Sequence, residues 1–319
     1  MTIINSTPVL LVAGDAIARY GFPDGHAFGP DRHEAFMSEL RKARLDAYLT
    51  HAMPRLATRD ELLLFHKADY IDRVSELSKA GSGFLDKGDT PAFKGVFEAA
   101  SHVVGATLIA VDRVMKAEVK RAFIPIAGLH HAARDRAAGF CVFNDIGVAI
   151  EMLRQQYGIK RIAYIDIDAH HGDGVFYAFN NDHDLMFADI HEDGRSLYPG
   201  TGDATETGEG DAKGTKLNLP LPSGAGDEEF MQAWAQIESY LQARPPEFVF
   251  LQCGVDSMAD DPLTHLRFTE NAHGHAAKRL CQLVDSWGHG RIIATGGGGY
   301  NRSNVARGWT RVVREFCLT

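Results

Sequence analysis

Six short apolar runs constrain this chain more than anything else in it: PVLLVAG (8–14), RAFIPIAG (121–128), RIAYID (161–166), DLMFADI (184–190), FVFLQCG (248–254) and RIIATGG (291–297). Runs of this length without polar alternation suit strands covered on both faces, as in a parallel sheet. Between them lie segments with helical periodicity, among them 61–79, 227–243 and 270–287. The alternation predicts an α/β fold: a single domain over 1–319 with a mainly parallel sheet flanked by helices. The polar, glycine-rich stretch 202–216 reads as a surface loop and as the place where disorder is expected first.

Four of the six runs end in polar clusters. The first leads to Leu129-His130-His131, the second to Asp166-Ile167-Asp168-Ala169-His170-His171, the third to Val255-Asp256 and the fourth to four glycines before Tyr300. Ligands of open α/β sheets bind beyond the carboxyl ends of the strands, so these clusters are expected to converge on one site.

Composition narrows the function. With 45% hydrophobic and 24% charged residues over 319 positions, the chain has the make-up of a soluble globular protein. No run approaches the roughly 18 apolar residues of a membrane span, and the start has neither a basic leader segment nor a small-residue cleavage site. The expectation is a cytoplasmic protein without a membrane partner. Cys141, Cys253, Cys281 and Cys317 form no CxxC pair and read as reduced thiols. A net charge of -9 with no basic stripe argues against nucleic acid and favours a cationic or lysine-bearing partner.

The clusters carry chemistry. In extended backbone Asp166, Asp168 and His170 share one face. Asp168 and His170, joined by Asp256 from another strand, make a two-carboxylate, one-imidazole set, the arrangement of a catalytic metal with open positions. An EF-hand would need Glu where Tyr177 stands, and HExxH is absent. His130 and His131 suit proton transfer at a metal-bound water, with Asp166 and Asp173 left to orient their far ring nitrogens. The glycines of GGGGY let backbone approach the site and bring Tyr300 inward, where a phenol can hydrogen-bond a developing oxyanion.

The segments GLHHAARDRAAGFCVFND (128–145), DIDAHHGDGV (166–175), YPGTGD (198–203), LQCGVDSMADDP (251–262) and GGGGYN (296–301) resemble the zinc-dependent histone deacetylase superfamily, which includes acetoin-utilisation deacetylases and acetylpolyamine amidohydrolases. The resemblance runs from about residue 18 to 310 and implies the arginase/deacetylase fold, with a parallel sheet of about eight strands. It makes Asp168, His170 and Asp256 the Zn2+ ligands, His130 and His131 the tandem histidines backed by Asp166 and Asp173, and Tyr300 the carbonyl-polarising residue. Gly139, Phe140 and Tyr198 then wall the substrate tunnel, Asp89 is the rim aspartate, and Leu263 joins this substrate-binding set. Pro30 and Arg32 line an internal acetate pocket. One K+ is implied at Asp166, Asp168, His170, Asp189 and Ile190, and a second around Phe179. Leu197-Tyr198 departs from the more usual phenylalanine, and His191-Glu192-Asp193 is a candidate acidic rim for a cationic substrate.

The resemblance implies hydrolysis of an acetyl or acyl amide. His131 acts as principal base and then acid, while His130 supports it electrostatically or shares the proton. The substrate stands open between acetyl-lysine in a protein or peptide and a small acetylated polyamine. A dimanganese ureohydrolase is disfavoured by Gly172, where an acidic residue would be needed, and a silent acetyl-binding module by the intact Tyr300 and histidines.

Overall fold

In the computed structural model, which describes residues 8–23 and 25–319, all six apolar runs become strands and two further strands join them. The strands are β1 (Val9–Val12), β2 (Leu49–Ala52), β3 (Arg121–Ile124), β4 (Ile162–Asp166), β5 (Leu185–Glu192), β6 (Lys216–Leu221), β7 (Phe248–Gln252) and β8 (Ile292–Thr295). They form one sheet in the order β2-β1-β3-β8-β7-β4-β5-β6, and every pairing is parallel. The two strands absent from the apolar pattern, β2 and β6, are the edges. Their sequences, LTHA and KLNLPL, mix polar residues and a proline into the run, as an edge tolerates and a central strand does not.

Helices cover both faces, which is why β1, β3, β4, β7 and β8 are buried at every position. In chain order they are α1 (Asp15–Ala18), α2 (Asp31–Lys42), α3 (Arg59–Leu62), α4 (Ala68–Ala80), α5 (Val96–Met115), α6 (Asp145–Tyr157), α7 (Asp173–Ala178), α8 (Asp227–Ala243), α9 (Glu270–Ser286) and α10 (Arg302–Leu318). The long apolar α5 packs on α4 and α6, while α10 packs on α2 and α9. No helix among the described residues is long and apolar enough to cross a membrane.

Three expectations change. The helix expected over 61–79 is broken into α3 and α4. The intervening His66 turns inward, where its Nε2 accepts the Asn144 N–H at 2.9 Å, and Lys67 N–H bonds Arg134 O at 2.8 Å. The stretch 202–216 is folded: Glu206 accepts the N–H groups of Gly202 and Asp203, a short 3-10 turn spans Gly210–Ala212, and Lys216 opens β6. β5 continues to Glu192, past its apolar run, because β6 pairs with it as far as Leu221.

The strands that end in polar clusters, β3, β8, β7 and β4, are adjacent at the centre of the sheet, so their C-terminal loops meet. The order reverses here, between strands early and late in the chain, and leaves the crevice in which α/β sheets bind ligands.

The packing of α5 tolerates no side chain at Gly105, where a Cβ would lie 1.9 Å from the Arg55 carbonyl oxygen. Gly105→Ala should destabilise the protein by about 1–3 kcal/mol, read as a shifted urea midpoint; an unchanged midpoint would contradict this packing.

Candidate active site

Beyond β4 the backbone turns through residues 167–172 into α7, and the carboxylates stay buried along the way. Asp168, His170 and Asp256 are all buried, and their ligand atoms lie within 4.8 Å of one another. The His170 Nδ1 is 3.0 Å from Asp168 Oδ1 and 3.0 Å from Asp256 Oδ2. Each carboxylate is also held from behind. Asp168 Oδ2 accepts Gln252 Nε2–H at 2.9 Å and Gly298 N–H at 2.8 Å, and Asp256 Oδ1 accepts Ala169 N–H at 2.9 Å. Burial, aided by the adjacent Asp168 charge, pushes Asp256 up to about 7. Burial alone would lower His170, but its two carboxylates outweigh it and raise the imidazole to about 10. Two hard oxygens and one imidazole converging in a buried corner match the donor chemistry of a divalent ion with open positions.

The tandem histidines follow β3. His130 Nδ1 is 2.8 Å from Asp166 Oδ2 and His131 Nδ1 is 2.6 Å from Asp173 Oδ1, with the two ring centroids 4.1 Å apart. A carboxylate at Nδ1 holds the proton there and leaves Nε2 as the working atom of each ring. The His130 Nε2 lies 3.9 Å from Asp168 Oδ1, beside the ligand set. The two environments push the rings apart. Burial opposes charge at His130, but Asp166 and Asp168 prevail and raise it to about 9. At His131 burial and the neighbouring His130 charge lower the pKa against the pull of Asp173.

A small cavity beside these groups is closed by Tyr300, Gly139 and Cys141. The Tyr300 backbone N–H is anchored on Asp261 Oδ2 at 2.7 Å, and its hydroxyl has no hydrogen-bond partner among the described residues. Burial, with Asp256 and Asp168 nearby, holds that phenol well above its ordinary pKa, so it remains a donor. The Phe140 ring stands 5.8 Å edge-on to Tyr300, and the Tyr198 ring 5.1 Å edge-on to His131, so the aromatic pair flanks the approach from two sides. Gly139 makes room between them, since a Cβ there would lie 2.4 Å from His131 Cδ2. Phe140 itself sits at φ 66°, a strained value for a phenylalanine, fixed by Tyr20 Oη donating to its carbonyl at 2.6 Å and by its own N–H donating to Thr90 Oγ1 at 3.1 Å.

Asp89 and Tyr198 line an open groove of about 670 Å³, together with Asp173, Arg73, Lys87 and Arg136. Leu263 is 40% exposed on the loop held by Asp261 and lines neither the groove nor the deep cavity. Arg32 is fully buried and has no carboxylate partner among the described residues. Its Nε and Nη2 donate to the carbonyls of Gly299 (2.7 Å) and Gly297 (2.6 Å), and Nη1 has no acceptor. Pro30 caps the helix, α2, that carries it.

Asp166 and Asp189 are opposite partners on β4 and β5 and are both buried; Gly172 N–H donates to Asp189 Oδ2 at 2.8 Å. Around Phe179 the backbone and ring have protein partners of their own. Its carbonyl accepts Asp182 N–H at 2.9 Å, and the Arg134 and Arg154 guanidinium carbons stand 5.2 and 5.6 Å from its ring centre. The acidic-rim reading of His191-Glu192-Asp193 is corrected. His191 and Glu192 end β5 and are buried, with His191 Nδ1 2.8 Å from Asp189 and Glu192 accepting from the His265 backbone N–H and Ser196 Oγ. Asp193 is taken by Arg195.

Four supporting residues were not singled out from the sequence. Tyr164 donates to Asp166 Oδ2 at 2.5 Å, Gln252 braces Asp168, Asp145 accepts the Gly128 and Leu129 N–H groups, and Asp261 holds Tyr300. Tyr164 and Gln252 lie inside apolar runs, and a polar residue at a buried strand position is the signal that points to them.

Residues 26–316 match the family model of the histone deacetylase domain. The chain is 41% identical over 273 residues to acetoin utilization protein AcuC of Bacillus subtilis, covering 82% of this chain and 70% of that protein. It is 34% identical over 317 residues to the protein of the same name from Staphylococcus aureus strain MSSA476, covering 97% and 81%, and 33% identical over 313 residues to that of Staphylococcus xylosus. The chain belongs to the histone deacetylase family.

The glycines make the ligand corner possible: a Cβ at Gly298 would lie 2.2 Å from Asp256 Oδ2 and 2.7 Å from Asp168 Oδ2. Gly298→Ala should weaken divalent-metal affinity by about 10–100-fold, measured by chelator competition, with a native far-UV circular dichroism spectrum. Unaltered affinity would separate these carboxylates from metal binding.

Proposed function

We propose that this deacetylase-family chain hydrolyses the acetyl amide of acetyl-lysine in proteins or peptides, using one zinc ion held by Asp168, His170 and Asp256. The observation that carries the reading is the convergence of that donor set with two histidines, each backed by its own carboxylate, beneath an aromatic-walled approach. Bound zinc would supply Lewis-acid polarisation of the acetyl carbonyl and a lowered pKa for the attacking water.

The protein groups do the rest. Phe140 and Tyr198 grip the methylene stem of the substrate and Asp89 holds its backbone at the rim. His131, with Nδ1 fixed on Asp173, takes the water proton at Nε2 and delivers it to the amine nitrogen as the C–N bond breaks. His130, tied to the more deeply buried Asp166, stabilises negative charge as it develops. The Tyr300 hydroxyl, with no acceptor among the described residues, donates to the carbonyl oxygen as it becomes an oxyanion. Acetate is received by Arg32, whose unpaired Nη1 supports an anion partner. One potassium ion held by Asp166, Asp168, His170, Asp189 and Ile190 is supported by the buried, paired carboxylates of β4 and β5.

A peptide is favoured over a small polyamine by the groove of about 670 Å³ that Asp89 lines together with the cationic Arg73, Lys87 and Arg136. The deciding measurement is kcat/KM of the zinc-loaded protein on an acetyl-lysine peptide and on N-acetylputrescine; a preference for the second would overturn the substrate assignment. Tyr300→Phe should leave zinc stoichiometry unchanged and lower kcat by on the order of a hundredfold, and an unchanged kcat would remove Tyr300 from the mechanism.

A further inference from the structure

Among the described residues Lys216 is one of the largest fully buried side chains, and no carboxylate among them bonds its ammonium. Its Nζ donates to two backbone carbonyls, Asp182 O at 2.8 Å and Leu185 O at 2.7 Å, and to Thr215 Oγ1 at 2.9 Å. The nearest acid, Asp182, is engaged by Arg154, and Asp184 by Arg244. A buried charge normally requires an opposite charge or full satisfaction by hydrogen bonds; here neutral oxygens alone provide it.

Three neutral oxygens at 2.7–2.9 Å around one positive centre form the kind of cage that backbone carbonyls offer a monovalent cation in place of its hydration shell. The cage is built by the turn between Phe179 and β5 and by the residue before β6. Lys216 itself pairs with Phe187 in the sheet, so its ammonium pins the start of the edge strand to the start of its neighbour. This is the end of the sheet away from the candidate active site.

We infer that Lys216 is a tethered cation: its ammonium occupies a monovalent-cation site in the turn after Phe179, so that the protein binds no free ion there. On this inference the lysine's own charge takes the place of the free potassium ion expected around Phe179. Burial is the main influence on Lys216 and lowers its pKa to about 8, with Asp182 opposing, which leaves the side chain protonated at neutral pH. The inference stands independently of the reaction catalysed.

The test counts bound ions in the full-length protein. Wild type, Lys216→Ala and Lys216→Met are dialysed into choline chloride, checked by circular dichroism, and titrated with radioactive rubidium as a potassium probe. Lys216→Ala should bind one more equivalent of rubidium than wild type and regain thermal stability in KCl. Lys216→Met, which fills the space without charge, should gain no equivalent and show no such recovery. Equal stoichiometry in wild type and folded Lys216→Ala would overturn the inference. A second measurement needs no variant: thallium soaked into wild-type crystals should give no anomalous peak at the Asp182 and Leu185 carbonyls, and a peak there would overturn it as well.

Discussion

The structure depends on keeping four carboxylates, Asp166, Asp168, Asp189 and Asp256, almost entirely out of water at the C-terminal end of a sheet, none of them more than 1% exposed. Isolated, each would be costly enough to oppose folding. Here every one is hydrogen-bonded, by near neighbours in sequence and by residues from distant parts of the chain. His130 and Tyr164 serve Asp166, Gln252 and Gly298 serve Asp168, His191 and Gly172 serve Asp189, and Ala169 and His170 serve Asp256. The central strand order follows from the same requirement, because only adjacency of β3, β8, β7 and β4 brings these donors to these acceptors.

This balance explains how a rigid site arises from loops. The segments after β4, β7 and β8 have no regular structure around Asp168, Asp256 and Gly298, yet they are tied to one another by the backbone N–H groups of Ala169, His170 and Gly298, which donate to Asp168 and Asp256. The donors that hold the acids also define the backbone, and glycines at 254 and 298 permit the approach, with a Cβ at Gly254 falling 2.0 Å from Asp168 Oδ2. Precision in the site is thus bought with hydrogen bonds between loops.

Much of this was legible in the sequence because burial and polarity conflict so sharply there. A strand such as IAYID followed by DAHH has no structural explanation without a partner charge, and that conflict leads directly to Asp168, His170 and the tandem histidines. The parts that were not legible are those where local pattern and tertiary role differ. β2 and β6 alternate like surface segments because they are edges, α3 and α4 look continuous because their break at His66 is driven by Asn144, and His191-Glu192 look like a rim until β6 extends β5 over them. Leu263 shows the reverse case: it borders a motif in sequence but lines neither cavity in space.

Positive charge is supplied differently at the two ends of the sheet. At the C-terminal end the acids converge from separate loops, and a site that must admit water, substrate and product cannot be filled by a protein cation without blocking its open positions. On the proposed function an exchangeable ion would meet that need, because it would neutralise the acids and still leave coordination sites vacant. At the N-terminal end of β5 and β6 nothing has to enter or leave, and the oxygens that converge there are neutral. A lysine in the strand itself then has the advantage, since a covalently attached charge is present at any salt concentration and needs no ion to be captured from solution. On that reading exchangeable charge belongs to the end of the sheet that carries the candidate active site, and fixed charge holds the other end.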